Sequence, residues 1–162
     1  MESGAARGAD ERYMHRTIAL AERAAAAGDV PVGAVLVTRG VAYEAWNRRE
    51  AEHDPTAHAE IVAIRAACAA ERSWRLAGAR LYVSKEPCVM CAGAIVAARI
   101  GVLVFGCRDP KAGAAGGTID VFGSQAARHR VTVVPGMLAA ETAAPLRRFF
   151  EARRCPEGPR LM

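Results

Sequence analysis

The chain predicts an α/β fold in which helices form layers around a central sheet. Two observations carry that expectation. Short β-branched runs alternate with stretches of helical apolar spacing, the pattern of strand and helix in turn. No internal repeat and no long linker divides the 162 residues, and 52% hydrophobic with 24% charged residues suffices for one domain with a real core.

The elements follow in order. Met14, Thr17, Ile18, Ala21 and Ala25 recur at helical spacing, and Gly28 ends that helix. Val32 to Val37 is a strand, which Arg39-Gly40 turns back into a second strand from Val41 to Trp46. A second helix is expected near Asp54-Pro55-Thr56, capped by Asp54 or Thr56, with an apolar face of Ala57, Ile61, Ile64 and Cys68. Leu81 to Ser84 reads as a strand, and Pro87 opens a third helix. Strands follow at Gly101 to Gly106 and Val131 to Val134. The C-terminal stretch is helical, and Pro145 either interrupts it or starts a new segment. The glycine-rich stretch between Gly106 and Val131 holds Asp109 and Lys111; a long loop inside a compact domain points to function. These boundaries give a flexible N-terminus over 1–10, one domain over 11–154 and a tail over 155–162.

Composition narrows the classes. No apolar run approaches the ~20 residues of a membrane span, and the first residues lack an apolar signal core. An odd count of 5 cysteines, two of them in C-x-x-C, fits a reducing cytoplasm and a metal site better than a disulfide framework. The net charge of +5 allows an acidic partner such as nucleic acid. Arg147, Arg148, Arg153, Arg154 and Arg160 cluster around Phe149 and Phe150. That pattern suits bases and phosphates together, and equally a solvated face over two core phenylalanines.

The chemistry lies in His58-Ala59-Glu60 and Pro87-Cys88-Val89-Met90-Cys91. Together they are expected by chance about 0.002 times in a chain of this composition. Cys88 and Cys91 at a helix N-terminus point the same way, where the helix dipole favours thiolate. His58, Cys88 and Cys91 are three ligands of the kind zinc takes, leaving a fourth position for water, whose pKa falls to about 7 on the metal. Glu60 then serves as proton shuttle. A closed structural zinc is the alternative, with Cys107, Cys68, Cys155 or His53 as fourth ligand; His53 is also placed to meet substrate. His15 and His129 have no partner at ligand spacing.

His-Ala-Glu with Pro-Cys-Val-Met-Cys resembles the signature of the zinc-dependent nucleoside and nucleobase deaminases. More narrowly, the chain from about Tyr13 to Arg154 resembles the bacterial tRNA-specific adenosine deaminases. The similarity runs through Val30 to Val37, Trp46-Asn47-Arg48, His53 to Ile61, Glu86 to Ala94 and Arg99-Ile100-Gly101. The loop Val104 to Gly116 and the Phe149-Phe150…Arg153-Arg154 pattern are its more telling segments, because guanine deaminases share the Asp-Pro-Thr-Ala-His-Ala-Glu stretch. The resemblance implies a three-layer α/β/α cytidine-deaminase-like fold with a central mixed five-stranded sheet. It implies zinc on His58, Cys88 and Cys91, one ion per subunit, with Glu60 as the catalytic carboxylate. It also implies that Asn47 bonds a flipped nucleotide, that Pro31 and Val32 line its pocket, and that Asp109, Lys111, Asp120, Phe149 and Arg153 flank the RNA.

The implied reaction is deamination of adenosine to inosine at the wobble position of a tRNA anticodon stem-loop, arginine tRNA expected, by a cytoplasmic homodimer. The rivals are a free guanine or cytosine deaminase and an inactive RNA-binding zinc subunit. Asn47 also suits an Asx turn, and Asp109 and Lys111 a solvated loop. Departures from the family pattern fall at Lys85 (a salt bridge or a phosphate contact), Cys107, Pro145 and Arg147-Arg148.

Overall fold

The computed structural model describes residues 4–154. Its elements are α1 (Gly4–Ala26), β1 (Gly33–Thr38), β2 (Val41–Trp46), α2 (Arg49–Glu52), α3 (Ala59–Glu71), β3 (Arg80–Lys85), α4 (Val89–Ala97), β4 (Val102–Cys107), β5 (Thr132–Val134) and α5 (Ala139–Arg153). The sheet is mixed and five-stranded, in the order β2-β1-β3-β4-β5. β1 pairs antiparallel with β2 and β3, while β3–β4 and β4–β5 are parallel.

Both sheet faces are covered, which explains strands that read as unbroken apolar runs. Side chains alternate along a strand, so Ala34, Leu36, Leu81, Val83, Leu103 and Phe105 enter the core built with α3 and α4. Val35, Tyr82 and Val104 point the other way, against Met14 and Leu20 of α1. Arg39 and Gly40 both take positive φ, 49° and 76°, as the tight β1–β2 turn requires.

Three local expectations change. α1 begins at Gly4, so the helix takes in residues 4–10, ahead of the Met14–Ala25 spacing that signals it. Asp10 is the reason: buried in α1, it accepts hydrogen bonds from Arg80 Nη2 at 2.9 Å and from Tyr82 Oη at 2.6 Å. α3 starts at Ala59 with His58 as N-cap, later than Asp54 or Thr56. Asp54 Oδ1 instead accepts the Thr56 N–H at 2.8 Å and its hydroxyl at 2.7 Å, closing a turn that competes with the helix. The inward face of α3 is accordingly Ala59, Glu60, Ala63, Ile64 and Ala67.

Pro145 neither interrupts α5 nor starts a new segment; the helix continues through it with the ring buried. The carbonyl deprived of its partner belongs to Glu141, an exposed residue, so the loss falls on the solvent side of the helix. Residues 155–162, including Cys155 and Arg160, lie outside the described residues. No helix among the described residues is long and apolar enough to cross a membrane.

Candidate functional site

β2 and β3 run parallel to each other, so the crossovers after them start α3 and α4 at one end of the sheet. There His58 is the N-cap of α3 and Cys88 the N-cap of α4, both with extended backbone and neither spending its side chain on a capping bond. Cys91 lies one turn into α4 and is buried. His58 Nδ1 lies 3.7 Å from Cys88 Sγ and 3.5 Å from Cys91 Sγ. Zinc bonds of ~2.0–2.3 Å in tetrahedral array place N and S donors roughly 3.5–3.8 Å apart. The donor set fits zinc in both chemistry and spacing.

Among the described residues, His58, Cys88 and Cys91 are the cluster that can hold a metal. Neither Cys68, Cys107 nor His53 joins it. Cys107 is buried with its thiol directed to the Ser84 carbonyl. Cys68 is half-buried at the margin of the core, and exposed His53 is the left-handed C-cap of α2. His129 is occupied by the Ile100 carbonyl, 2.8 Å from Nε2.

The electrostatics suit metal ligation. A hydrogen bond from Cys91, reinforced by His58, pulls the Cys88 thiol down to about 3. The same bond to Cys88, with burial, pushes Cys91 up. The hydrogen bond with Cys88 raises His58. Burial raises the carboxyl of Glu60, which is only 4% exposed.

Glu60, His58 and Cys88 open into a cavity of about 160 Å³, lined also by Val30, Val32 and Asn47. Asn47 Nδ2 donates to the Val30 carbonyl at 3.0 Å, and Oδ1 accepts the Ala59 N–H at 2.9 Å. Asn47 therefore satisfies a free N–H in the first turn of α3 from outside the helix and ties the metal ligand's helix to the cavity wall. Pro31 is buried and does not line the cavity.

Asp109 reaches the rim: Oδ2 pairs with Lys85 Nζ at 2.8 Å and Oδ1 accepts the Lys111 and Ala112 N–H groups. Burial would raise its carboxyl, but the Lys85 ammonium and those two backbone donors together hold it below the ordinary range. Lys111 lines an adjoining groove. Asp120 lies away from both, exposed, and accepts the Gly123 N–H at 3.1 Å. Phe149 and Arg153 are also off the cavity. Arg153 stacks over the Phe149 ring at 4.0 Å and donates to the Gly28 carbonyl, locking α5 to the end of α1.

Phe150, 43% exposed, borders the cavity instead. Helical phase makes that choice legible: Thr142 and Pro145 face inward, Phe149 follows one turn later, and Phe150 falls beside that stripe. Arg49, Lys85 and Glu86 complete the wall. Glu86 is wholly buried and accepts the N–H groups of Asp109, Ala115 and Gly117, so it shapes the loop over the site. A carboxylate directly before Pro87-Cys88 was the available signal.

With this geometry in view, the comparisons with known proteins agree. Residues 7–107, which hold both halves of the signature, match the cytidine and deoxycytidylate deaminase zinc-binding region. The tRNA-specific adenosine deaminase of Haemophilus influenzae is 45% identical over 90% of this chain and 85% of its own. That of Bacillus subtilis is 44% identical over 90% and 91%. A solved structure from work on A-to-I editing by tRNA:A34 deaminases superposes with a TM-score of 0.79 at 42% identity, covering 83% of this chain and 99% of the other. The guanine deaminase of Nitrosomonas europaea shares the fold at a TM-score of 0.74 and 30% identity, over 86% and 83%. Fold, donor triad and likeness along nearly the whole chain converge, and the chain belongs to the zinc-binding cytidine and deoxycytidylate deaminase family, among its tRNA-specific adenosine deaminases.

Proposed function

We propose that this protein hydrolyses adenosine to inosine at the wobble position of a tRNA anticodon, with an arginine tRNA as the expected substrate. The observation that carries the reading is Glu60, a buried carboxyl beside the His58–Cys88–Cys91 triad and open to a base-sized cavity. Zinc held by those three residues supplies Lewis-acid chemistry, lowering the pKa of water towards neutrality.

Glu60 takes the proton of the water that adds to C6 of adenine and delivers it to N1. It passes the remaining proton to the departing amine, so adenosine and water yield inosine and ammonia. A structural zinc would give this carboxylate no task. Asn47 and Val32 hold the base in the cavity, its amide keeping one N–H beyond the bond to Val30. A nucleotide in an anticodon loop is already partly unstacked, so extruding it costs less than from a duplex. Asp109 and Lys111 meet the flanking backbone, while Pro31, Phe149 and Arg153 support the walls and Asp120 its loop.

The protein acts as a cytoplasmic homodimer in this reading. α4 carries no charged residue, and Val89 (58% exposed), Gly93 and Ala97 form an apolar face open to a second copy. The described cysteines are all free thiols, which suits a reducing compartment.

Likeness to guanine deaminase supports a second reading, a free-base enzyme. The test incubates zinc-loaded protein with an anticodon stem-loop bearing a wobble adenosine and, separately, with free adenosine, guanine and cytidine. Inosine in the stem-loop alone is expected, and Glu60→Ala should abolish it with zinc retained. Turnover of a free base alone would move the chain to base salvage, and activity surviving in Glu60→Ala would remove the role given to that residue.

A further inference from the structure

Lys85 is the last residue of β3, and its side chain is 28% exposed. With Asp109 and Phe150 it borders both the cavity and the adjoining groove of about 350 Å³. That groove also carries Arg108, Lys111 and Arg154; with Arg108 paired to Glu86 behind it, three cations face the one carboxylate of Asp109. The carboxylate is fixed: Asp109 Oδ1 is held by two backbone N–H groups, so Lys85 comes to Oδ2 rather than the reverse.

An ammonium has three donors and no acceptor. The contact to Asp109 uses one, and among the described residues no other hydrogen bond to Lys85 Nζ occurs. From this geometry we infer that Lys85 is a specificity-determining residue. Its ammonium cancels the charge of Asp109 at the rim and offers its remaining donors to the phosphate next to the nucleotide in the cavity.

The inference rests on the RNA reading above. Any polyanion whose base enters the cavity passes Asp109, and a bare carboxylate there repels it. Pairing with Lys85 leaves a rim without net charge at the mouth of a cationic groove, and a free nucleobase has no phosphate to feel the difference. The two possibilities open at sequence level, salt bridge and phosphate contact, are thus one device.

The test is binding of a fluorescent anticodon stem-loop to the zinc-loaded Glu60→Ala protein, which does not consume it, across a salt series. Lys85→Met keeps the stem of the side chain and drops only the charge. It should weaken binding about tenfold and reduce the log–log salt slope by about one. Lys85→Arg should keep the slope. Adding Asp109→Asn to Lys85→Met should recover much of the affinity, because the uncompensated carboxylate is gone.

Affinity and slope within twofold of the parent in Lys85→Met would overturn the inference, as would a parent that binds with no salt dependence. The two readings fail separately. A protein that binds the stem-loop in this way yet forms no inosine sinks the deaminase reading and leaves Lys85 its role. Inosine formation with an unchanged slope in Lys85→Met does the opposite.

Discussion

The carboxylate of Glu86 accepts the backbone N–H of Gly117 at 2.7 Å, across 31 residues of chain, with its side chain wholly out of water. Further N–H groups come from Asp109 at 3.0 Å and Ala115 at 3.1 Å, with Arg108 Nη1 at 3.3 Å. Gly113 and Gly117 press so closely on this carboxylate that a Cβ at either would collide with it. One side chain therefore ties the loop to the end of β3, alongside the turn bonds and the Ala115–Asp120 bridge that the loop makes within itself.

Removing that anchor should loosen the loop before it unfolds the domain. Glu86→Ala leaves buried N–H groups without acceptors and is expected to cost about 3 kcal/mol. Glu86→Gln, which retains one acceptor oxygen, should cost less. Urea denaturation measures the stability, and amide exchange at residues 113–118 should rise more than in β3 or β4. Equal exchange throughout would show that the carboxylate merely fills space.

Loss of a donor from the triad should empty the metal site. His58→Ala or Cys91→Ser is expected to weaken zinc by more than the about 10–100-fold that outer partners of a site cost. Atomic absorption after dialysis against a weak chelator reads this directly. Retention of stoichiometric zinc in both variants would mean that the metal sits elsewhere.

Gly33→Ala tests the seam between helix and sheet. A Cβ there would stand 2.7 Å from Leu20 Cβ and 2.8 Å from the Ala21 backbone nitrogen, and would collide with the Thr17 carbonyl. Backbone cannot swing aside as a flexible side chain does, so α1 must lift off β1. A loss of about 3 kcal/mol is expected, at the upper end for overpacking. A thermal midpoint within a degree or two of the parent would contradict the close packing.

Tyr82 gives a pH signature. Burial, then its hydrogen bond to the Asp10 carboxylate, raises its phenol from 10.0 to about 12. A raised acid binds its proton more tightly when folded, so this contribution to stability is complete below about pH 10 and fades as pH climbs towards 12. Absorbance at 295 nm should show one phenol ionising near pH 12 in the native protein and near 10 in denaturant. Tyr82→Phe should remove that step and cost about 1–2 kcal/mol by leaving Asp10 short of a donor.

How far the sequence alone could carry these conclusions depends on the range of the interaction. The β1–β2 hairpin was legible because alternation and Arg39-Gly40 act within a few residues. The metal triad was legible because Cys88 and Cys91 share one turn and the His58-Ala59-Glu60 spacing is local. The start of α3 was misplaced because Asp54 and Thr56 are good caps that instead satisfy each other. Glu86 was marked only by its place directly before Pro87-Cys88; its task was not legible, because most of its partners are backbone N–H groups of a distant loop. Asn47 drew attention as a candidate nucleotide contact, yet its bond to Ala59 depends on how a strand end meets a helix start. Lys85 stood out only as a departure, and its meaning came from Asp109 across the parallel β3–β4 pair.

α1 is fastened at two ends that face opposite ways. Asp10 in its early turns is tied to Arg80 and Tyr82 where β3 begins, whereas the chain after it arrives at Val30 on the cavity wall. Arg154, just past α5, borders the groove at the cavity end. The molecule thus has one quiet attachment point and one busy one. A carrier domain or surface tether joined ahead of α1 emerges from the sheet end remote from the cavity and leaves the approach clear. The same cargo fixed on Arg154 itself would stand in the doorway.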